Sequence, residues 1–298
     1  MKNFSQFDTI LTALLLLCLL QSASRGDEPP PVENNWAGGG WSGNSLGMAF
    51  RWCPAGSFRM GSPSDEPGRG KDEQQANVTL SHGFWLGECE VTRGQWEQLM
   101  KTTWKEQRDK RWAYDRIAEN PAELVKEPDG PILPMSYVNY DEAVSFCEAL
   151  SKAERAAGRL PDGWRYHLPT EAQWEYACRA GTTTRWSFGD DVSALPKYVS
   201  KRELRPAGEL LPNAWGLRDT HGNVEELVRD GYSFKHPGGQ DPFTPAKGRS
   251  SCYRGGDYMW GEHTMRSASR RSIWFGRRLP WEGVRVAIVR LDEESKAQ

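Results

Sequence analysis

The densest set of reactive side chains lies between Arg254 and Arg278. It opens Arg254-Gly255-Gly256-Asp257 and runs through Met259, Trp260, Glu262, His263, Met265 and Arg266 to Arg270, Arg271, Arg277 and Arg278. His263, Met259 and Met265 supply donors able in principle to hold a metal. Single His and Met residues beside aromatics are, however, ordinary packing groups, and no HExxH or paired-His spacing accompanies them. Glu262, His263 and Arg266 could move protons, but the sequence supplies no nucleophile beside them. The arginine run, with Trp274 and Phe275 inside it, reads first as a solvated face. Its other reading is the wall of a groove for an acidic peptide or sulfated glycan, because guanidinium forks match carboxylate and sulfate.

Two further patterns carry little weight. Gly43-Asn44-Ser45-Leu46-Gly47 matches G-x-S-x-G, yet that motif needs a strand before it and a helix after it, and here it sits in a Gly-rich stretch. Of six cysteines, Cys18 falls in an apolar N-terminal run, leaving Cys53, Cys89, Cys147, Cys178 and Cys252 with no CxxC pair. That spacing suggests neither zinc nor a dithiol couple. An oxidising compartment permits disulfides, but the sequence does not choose a pair. Cys147 and Cys178 occupy buried-type helix positions, where a free Cys acts as a small hydrophobe.

The elements that must position these groups are short. Capping boxes, in which an N-cap oxygen and the side chain three residues on satisfy each other's amides, open three helices. Thr92 with Gln95 starts one ending near Met100. Asn139 with Glu142 starts one stopping at Gly158, and Thr170 with Gln173 one stopping at Gly181. Phe50–Cys53, Ser57–Gly61, Val78–Leu80, Gly83–Leu86 and Glu88–Val91 read as strands. Val284–Val289 reads as a largely apolar, central strand. Between the first two helices, Lys101–Pro134 is longer than an ordinary connection, which suggests an elaborated loop or extra helix.

The chain has 298 residues, a formal net charge of -2, 14 Trp, 30 Gly and 19 Pro. Such a length suits one large turn-rich domain, and the charge balance lacks the basic excess of a nucleic-acid binder. Lys2, the apolar Ile10–Leu20 and the small residues to Ser24 read as an export signal over 1–24, too short to span a bilayer. Residues 25–48 read as a Pro/Gly-rich linker, 49–292 as the folded domain and 293–298 as a polar tail.

Six blocks, in order, resemble the sulfatase-modifying-factor family, whose best-known member is the formylglycine-generating enzyme. They are Phe58–Ser62, Gly83–Trp96, Arg159–Thr182, Pro212–Leu227, Tyr253–Gly256 and Gly283–Ala287. The resemblance implies an α+β, irregular, C-type-lectin-like fold with little regular secondary structure. It also implies an active site around two copper-binding cysteines downstream of RGG, since soft thiolates select copper(I). Trp260 and Met265 occupy those positions, Asp257 replaces the serine after RGG, and Glu225 replaces a tryptophan.

By the same resemblance, Asp219, the carbonyls of Gly222 and Val224, and Glu226 would hold a structural calcium, a hard cation suited to oxygen donors. The reading that follows is an exported, bacterial-type binding or adaptor module, a pseudoenzyme toward the copper reaction. Its ligand would be a protein, a peptide or an acidic or sulfated molecule, bound in a groove lined by Glu225, Asp257, Trp260, His263, Met265 and Arg266. A formylglycine-generating oxidase and a copper-independent tailoring enzyme remain open at this point. Calcium is the expected cofactor and copper is not.

Overall fold

A computed structural model describes residues 40–111, 128–246 and 250–291. The signal segment, most of the linker, the middle of the Lys101–Pro134 insertion and the polar tail lie outside the described residues. Three sheets and five α-helices make up the described fold, in keeping with an α+β architecture. Among the described residues no helix is long and apolar enough to cross a membrane.

The five-stranded sheet has the order β1-β2-β5-β12-β6, from β1 (Gly40–Ser42), β2 (Ala49–Cys53), β5 (Phe84–Gly87), β6 (Trp164–His167) and β12 (Ala287–Arg290). The N- and C-terminal parts of the domain therefore close against one another. A smaller sheet joins β3 (Gly56–Met60), β4 (Ala76–Leu80) and β8 (Gly239–Gln240). The third sheet, order β10-β9-β7-β11, contains β7 (Glu225–Gly231), β9 (Ser250–Arg254), β10 (Arg270–Trp274) and β11 (Glu282–Val284). This last sheet holds the candidate site.

All three sequence-read capping boxes form, at the starts of α1 (Arg93–Met100), α3 (Tyr140–Ala156) and α4 (Glu171–Arg179). A fourth, Thr103 with Glu106, opens α2 (Trp104–Asp109) inside the long insertion. A last short helix, α5, spans Leu195–Tyr198. On α3 the residues Ala143, Phe146, Cys147 and Leu150 form the buried stripe, and Phe146 stacks on Trp96 of α1 at 5.2 Å. Helix α4 is different, because every one of its residues is buried.

Several sequence expectations need correction. Val284–Val289 is not one strand. Arg285 is fully buried and turns inward, so Val284 ends β11 in one sheet and Ala287 begins β12 in another. Glu88–Val91 is not a strand, and Glu90 is buried there. The supposed linker already belongs to the fold at Gly40–Ser42, which pairs with β2. Within the G-x-S-x-G stretch, Asn44 Oδ1 accepts from the amides of Leu46 and Met48, and Ser45 Oγ donates to Glu154 at 2.5 Å. That serine is a structural donor to Glu154.

Candidate ligand-binding site

Alternation along a strand sends neighbouring side chains to opposite faces of its sheet, and the sheet β10-β9-β7-β11 uses this to separate two charge systems. In register, Glu226 lies opposite Arg254, which lies opposite Arg270. One residue along, Leu227 faces Tyr253, which faces Arg271. The first row meets α4, and the second, with Glu225, borders a cavity.

On the α4 side, Arg254 donates to Glu171 (3.2 Å) and to Glu175, and Arg270 forks onto Glu171 (2.6 and 2.8 Å). Glu175 also accepts from Arg179 at 2.8 Å and from the Gly61 amide at 2.8 Å. Burial alone would raise both carboxyls. The guanidinia outweigh it, holding Glu171 below the usual range and Glu175 at about 2. Glu226 accepts from Arg285 (2.7 and 2.8 Å) and from the Trp174 indole (2.6 Å).

The opposite face opens into a cavity of about 320 Å³ lined by Glu225, Tyr253, Asp257, Trp260, Thr264 and Arg271, among others. The glycines of RGG shape it. Gly255 and Gly256 adopt φ of 91° and 66°, and a Cβ on Gly256 would lie 2.6 Å from the Thr264 carbonyl, so only glycine fits. The turn drops Asp257 into the cavity, where Oδ1 accepts from the Met259 amide at 2.7 Å. Arg271 Nη1 donates to both oxygens of Glu225 (3.0 and 3.2 Å) and stands 3.6 Å from Asp257 Oδ2. Burial pushes Asp257 up to about 7, against the pull of the Met259 amide and Arg271. Burial, reinforced by Asp257 and Glu282, holds Glu225 well above the ordinary carboxylate range despite Arg271.

Of the six groove residues read from sequence, Glu225, Asp257 and Trp260 share this cavity. Trp260 is 50% exposed, with its ring 5.7 Å from the Arg271 guanidinium. The other three go elsewhere. Met265 is fully buried with Trp186, Leu195 and Val199, because an apolar thioether gains more there than in a charged cavity. Arg266 is buried and forks onto Glu73 (2.7 and 2.8 Å) while also meeting Glu66 (2.6 Å). His263 is exposed outside the cavity, near Gly68, and Glu262 pairs with Lys201. No His–Glu–Arg acid–base group is therefore assembled.

The arginine run is likewise not a solvated face. Arg266, Arg270, Arg271 and Arg278 are bound respectively by Glu73, Glu171, Glu225 and Glu142. Tyr253 is a site residue that the sequence reading misses, and Arg271 enters that reading only as one of five arginines in a run. The available signal is the alternation Arg271-Ser272-Ile273, which puts Arg271 on the same strand face as the buried Ile273.

A domain model described as sulfatase-modifying factor enzyme 1-like matches residues 47–290. The chain belongs to this family. The mouse formylglycine-generating enzyme is 24% identical over 257 residues, covering 69% of the chain and 65% of the enzyme. A serine/threonine-protein kinase, pkn1 of Chlamydia pneumoniae, is 28% identical over 227 residues, covering 72% of the chain but 34% of the kinase. The chain thus spans less than two thirds of either relative. Among solved structures, PvdO from Pseudomonas aeruginosa aligns with a TM-score of 0.69 and 26% identity over 86% of the chain and 99% of PvdO. Treponema denticola variable protein 1 shares the fold, with a TM-score of 0.64 and 24% identity over 80% of this chain and 94% of that protein.

Within this sulfatase-modifying-factor domain, the positions that the resemblance gives to copper cysteines hold a half-exposed indole and a core methionine. The five described cysteines are free and lie outside the cavity, and burial raises the thiol of each, Cys178 to about 11.

The loop carried over for calcium is also charged. Glu90, Asp219 and Glu226 approach one guanidinium, Arg285, and Glu90 Oε2 is buried without a hydrogen-bond donor. Burial raises Glu90 and Asp219, and each carboxyl is part of the other's environment. Among the described residues no three His, Cys, Asp or Glu side chains converge as a metal site. The calcium set implied by resemblance needs oxygen donors from two side chains and two carbonyls, and an ion there would share Glu226 with Arg285 and the Trp174 indole and Asp219 Oδ2 with the Gly208 amide.

Arg271 is the guanidinium that opposes the burial of Glu225, donating to both its oxygens. Replacing it with Met should destabilise the domain by roughly 1–3 kcal/mol at pH 8, the scale of leaving a buried polar group without its partner. The deficit should shrink toward pH 5, where protonated carboxyls no longer need the guanidinium. Urea unfolding of parent and variant at both pH values measures this; an equal deficit at both would contradict it.

Proposed function

We propose that this domain uses the family scaffold for ligand binding and does not carry out copper-dependent cysteine oxidation. The observation that carries this reading is the rebuilt corner after RGG. Copper(I) needs two converging soft donors. Met265 instead packs in an apolar cluster, and Trp260 borders a cavity whose charged lining is Glu225, Asp257, Arg271 and the Glu171-bound Arg270. Carboxylate oxygens and a guanidinium recognise hydrogen-bonding ligands and are poor partners for a soft ion. The N-terminal pattern supports an exported binding or adaptor module. An acidic or sulfated ligand is less favoured than the sequence suggested, because the arginines that would hold it are committed to internal carboxylates.

Incubating the purified domain with copper, oxygen and a peptide containing Cys-x-Pro-x-Arg tests the reading by mass spectrometry. The peptide thiol should stay intact over many hours. Multiple-turnover conversion to the aldehyde would overturn the reading and restore the oxidase.

Calcium is proposed as the structural ion, held by Asp219, the Gly222 and Val224 carbonyls and Glu226, with Glu90 alongside. Bound there it would supply positive charge to carboxyls that otherwise depend on Arg285. A ligand specific to the native state stabilises it by about 2.7 kcal/mol at a hundredfold excess over Kd. Thermal melts in calcium should accordingly exceed those in chelator, and Asp219→Ala should erase the difference. Superimposable melts of the parent would rule calcium out.

A further inference from the structure

The cavity has a specific chemical deficit. Asp257 is 1% exposed, and its Oδ2 is a buried oxygen with no full hydrogen bond, although Oδ1 accepts from the Met259 amide and the Trp260 amide also favours the carboxylate. Arg271 does not supply the missing bond. Its Nη1 is engaged by both Glu225 oxygens, and the 3.6 Å to Asp257 Oδ2 is too long for a hydrogen bond. Buried polar atoms are almost always partnered, so an orphan in a cavity wall asks for a ligand donor or a water.

The charge balance decides what kind of donor. The acids around the space are Glu225 on β7, Glu282 on β11 and Asp257 on the turn, and Tyr253 on β9 also titrates there. The cations are Arg271 on β10 and Arg277 beyond it. Arg270 touches the wall but forks onto Glu171. Of the charged groups that line the cavity, Glu225 and Asp257 are two carboxyls and Arg271 is the guanidinium not committed to α4, an excess of one acid once Asp257 ionises. The half-exposed Trp260 adds an aromatic wall, a surface that attracts cations. At about 320 Å³, the cavity lies at the small end of ligand pockets.

Building on the binding-site reading, we propose that this cavity captures a small alkylammonium group, which donates to Asp257 Oδ2 and packs beside Trp260. A neutral alcohol satisfies the hydrogen bond but not the charge, and a carboxylate meets Asp257 and Glu225 with like charge. Without ligand, Asp257 holds its proton up to about pH 7. The ammonium needs the carboxylate, so binding expels that proton. Affinity then rises with pH through that range and levels above it, by linkage about tenfold per pH unit on the rising limb.

Calorimetry with n-butylammonium, n-butanol and butyrate at pH 6 and pH 8, in buffers of different ionisation heat, tests this. The ammonium alone should bind with useful affinity, close to tenfold tighter at pH 8, with up to one proton released. Asp257→Asn should abolish the binding while melting at or above the parent temperature, because it removes an orphaned buried carboxyl. Glu225→Gln frees Arg271 to neutralise Asp257 and should weaken binding too. Preference for butyrate, no heat with folded parent protein, or binding undiminished in Asp257→Asn would each overturn the proposal. The cysteinyl-peptide assay separates the two claims. Peptide oxidation defeats the binding-site reading itself, whereas an inert peptide together with an inert amine defeats only the ammonium assignment.

Discussion

The guanidinium of Arg254 is the contact on which the rest of the site depends. It is fully buried, yet it reaches Glu171 and Glu175 on α4 and the carbonyls of Ser267 and Ala268 on the segment leading to β10. Its plane lies over Trp174 at 5.4 Å. A charge this deep is tolerable only when its donors are met, and removing one partner of such a pair costs about 3–5 kcal/mol. Helix α4, strand β9 and the return to β10 are therefore fixed relative to one another by one side chain. The RGG turn follows directly from that anchor, so the position of Asp257 is inherited from it.

The alternation of the same sheet explains how chemistry can change without loss of the fold. Residues facing α4 (Arg254, Arg270 and Glu226) are saturated by partners and leave little room for substitution. Residues on the other face (Glu225, Tyr253 and Arg271) border a cavity. Met265 has entered the cluster around Trp186, and its carbonyl accepts from His221 Nδ1 at 2.8 Å. That tautomer is set because His221 Nε2 accepts from the Ser187 amide at 3.0 Å. The two positions that the resemblance gives to the metal are thus divided, one lying in the core and one at the cavity.

Features encoded within a few residues are legible in the sequence. The boxes at Thr92, Asn139 and Thr170 are complete within four positions, and the buried stripe of α3 follows helical spacing. Strand β7 is not legible, because Glu225, Glu226 and Asp230 make a buried strand look like a polar loop. The single strand expected at Val284–Val289 fails on Arg285, whose partner Glu226 lies 59 residues away. Arg266 looks solvated for the same reason: its carboxylates are about 200 residues earlier in the chain. For the site, Asp257, Glu225 and Trp260 stand out because substitutions within a familiar block draw attention. Arg271 does not, because a run of arginines conceals which one turns inward.

Function in this cavity turns on Asp257 being a buried carboxyl poised to exchange its proton for a cation. Carbon-detected NMR titration of the side-chain carboxyls, assigned by comparison with Asp257→Asn, measures this directly. One aspartate resonance should titrate near pH 7 in the free protein, move down on addition of butylammonium, and be missing from the variant. An Asp257 carboxyl that titrates near pH 4 and ignores the amine would contradict the claim.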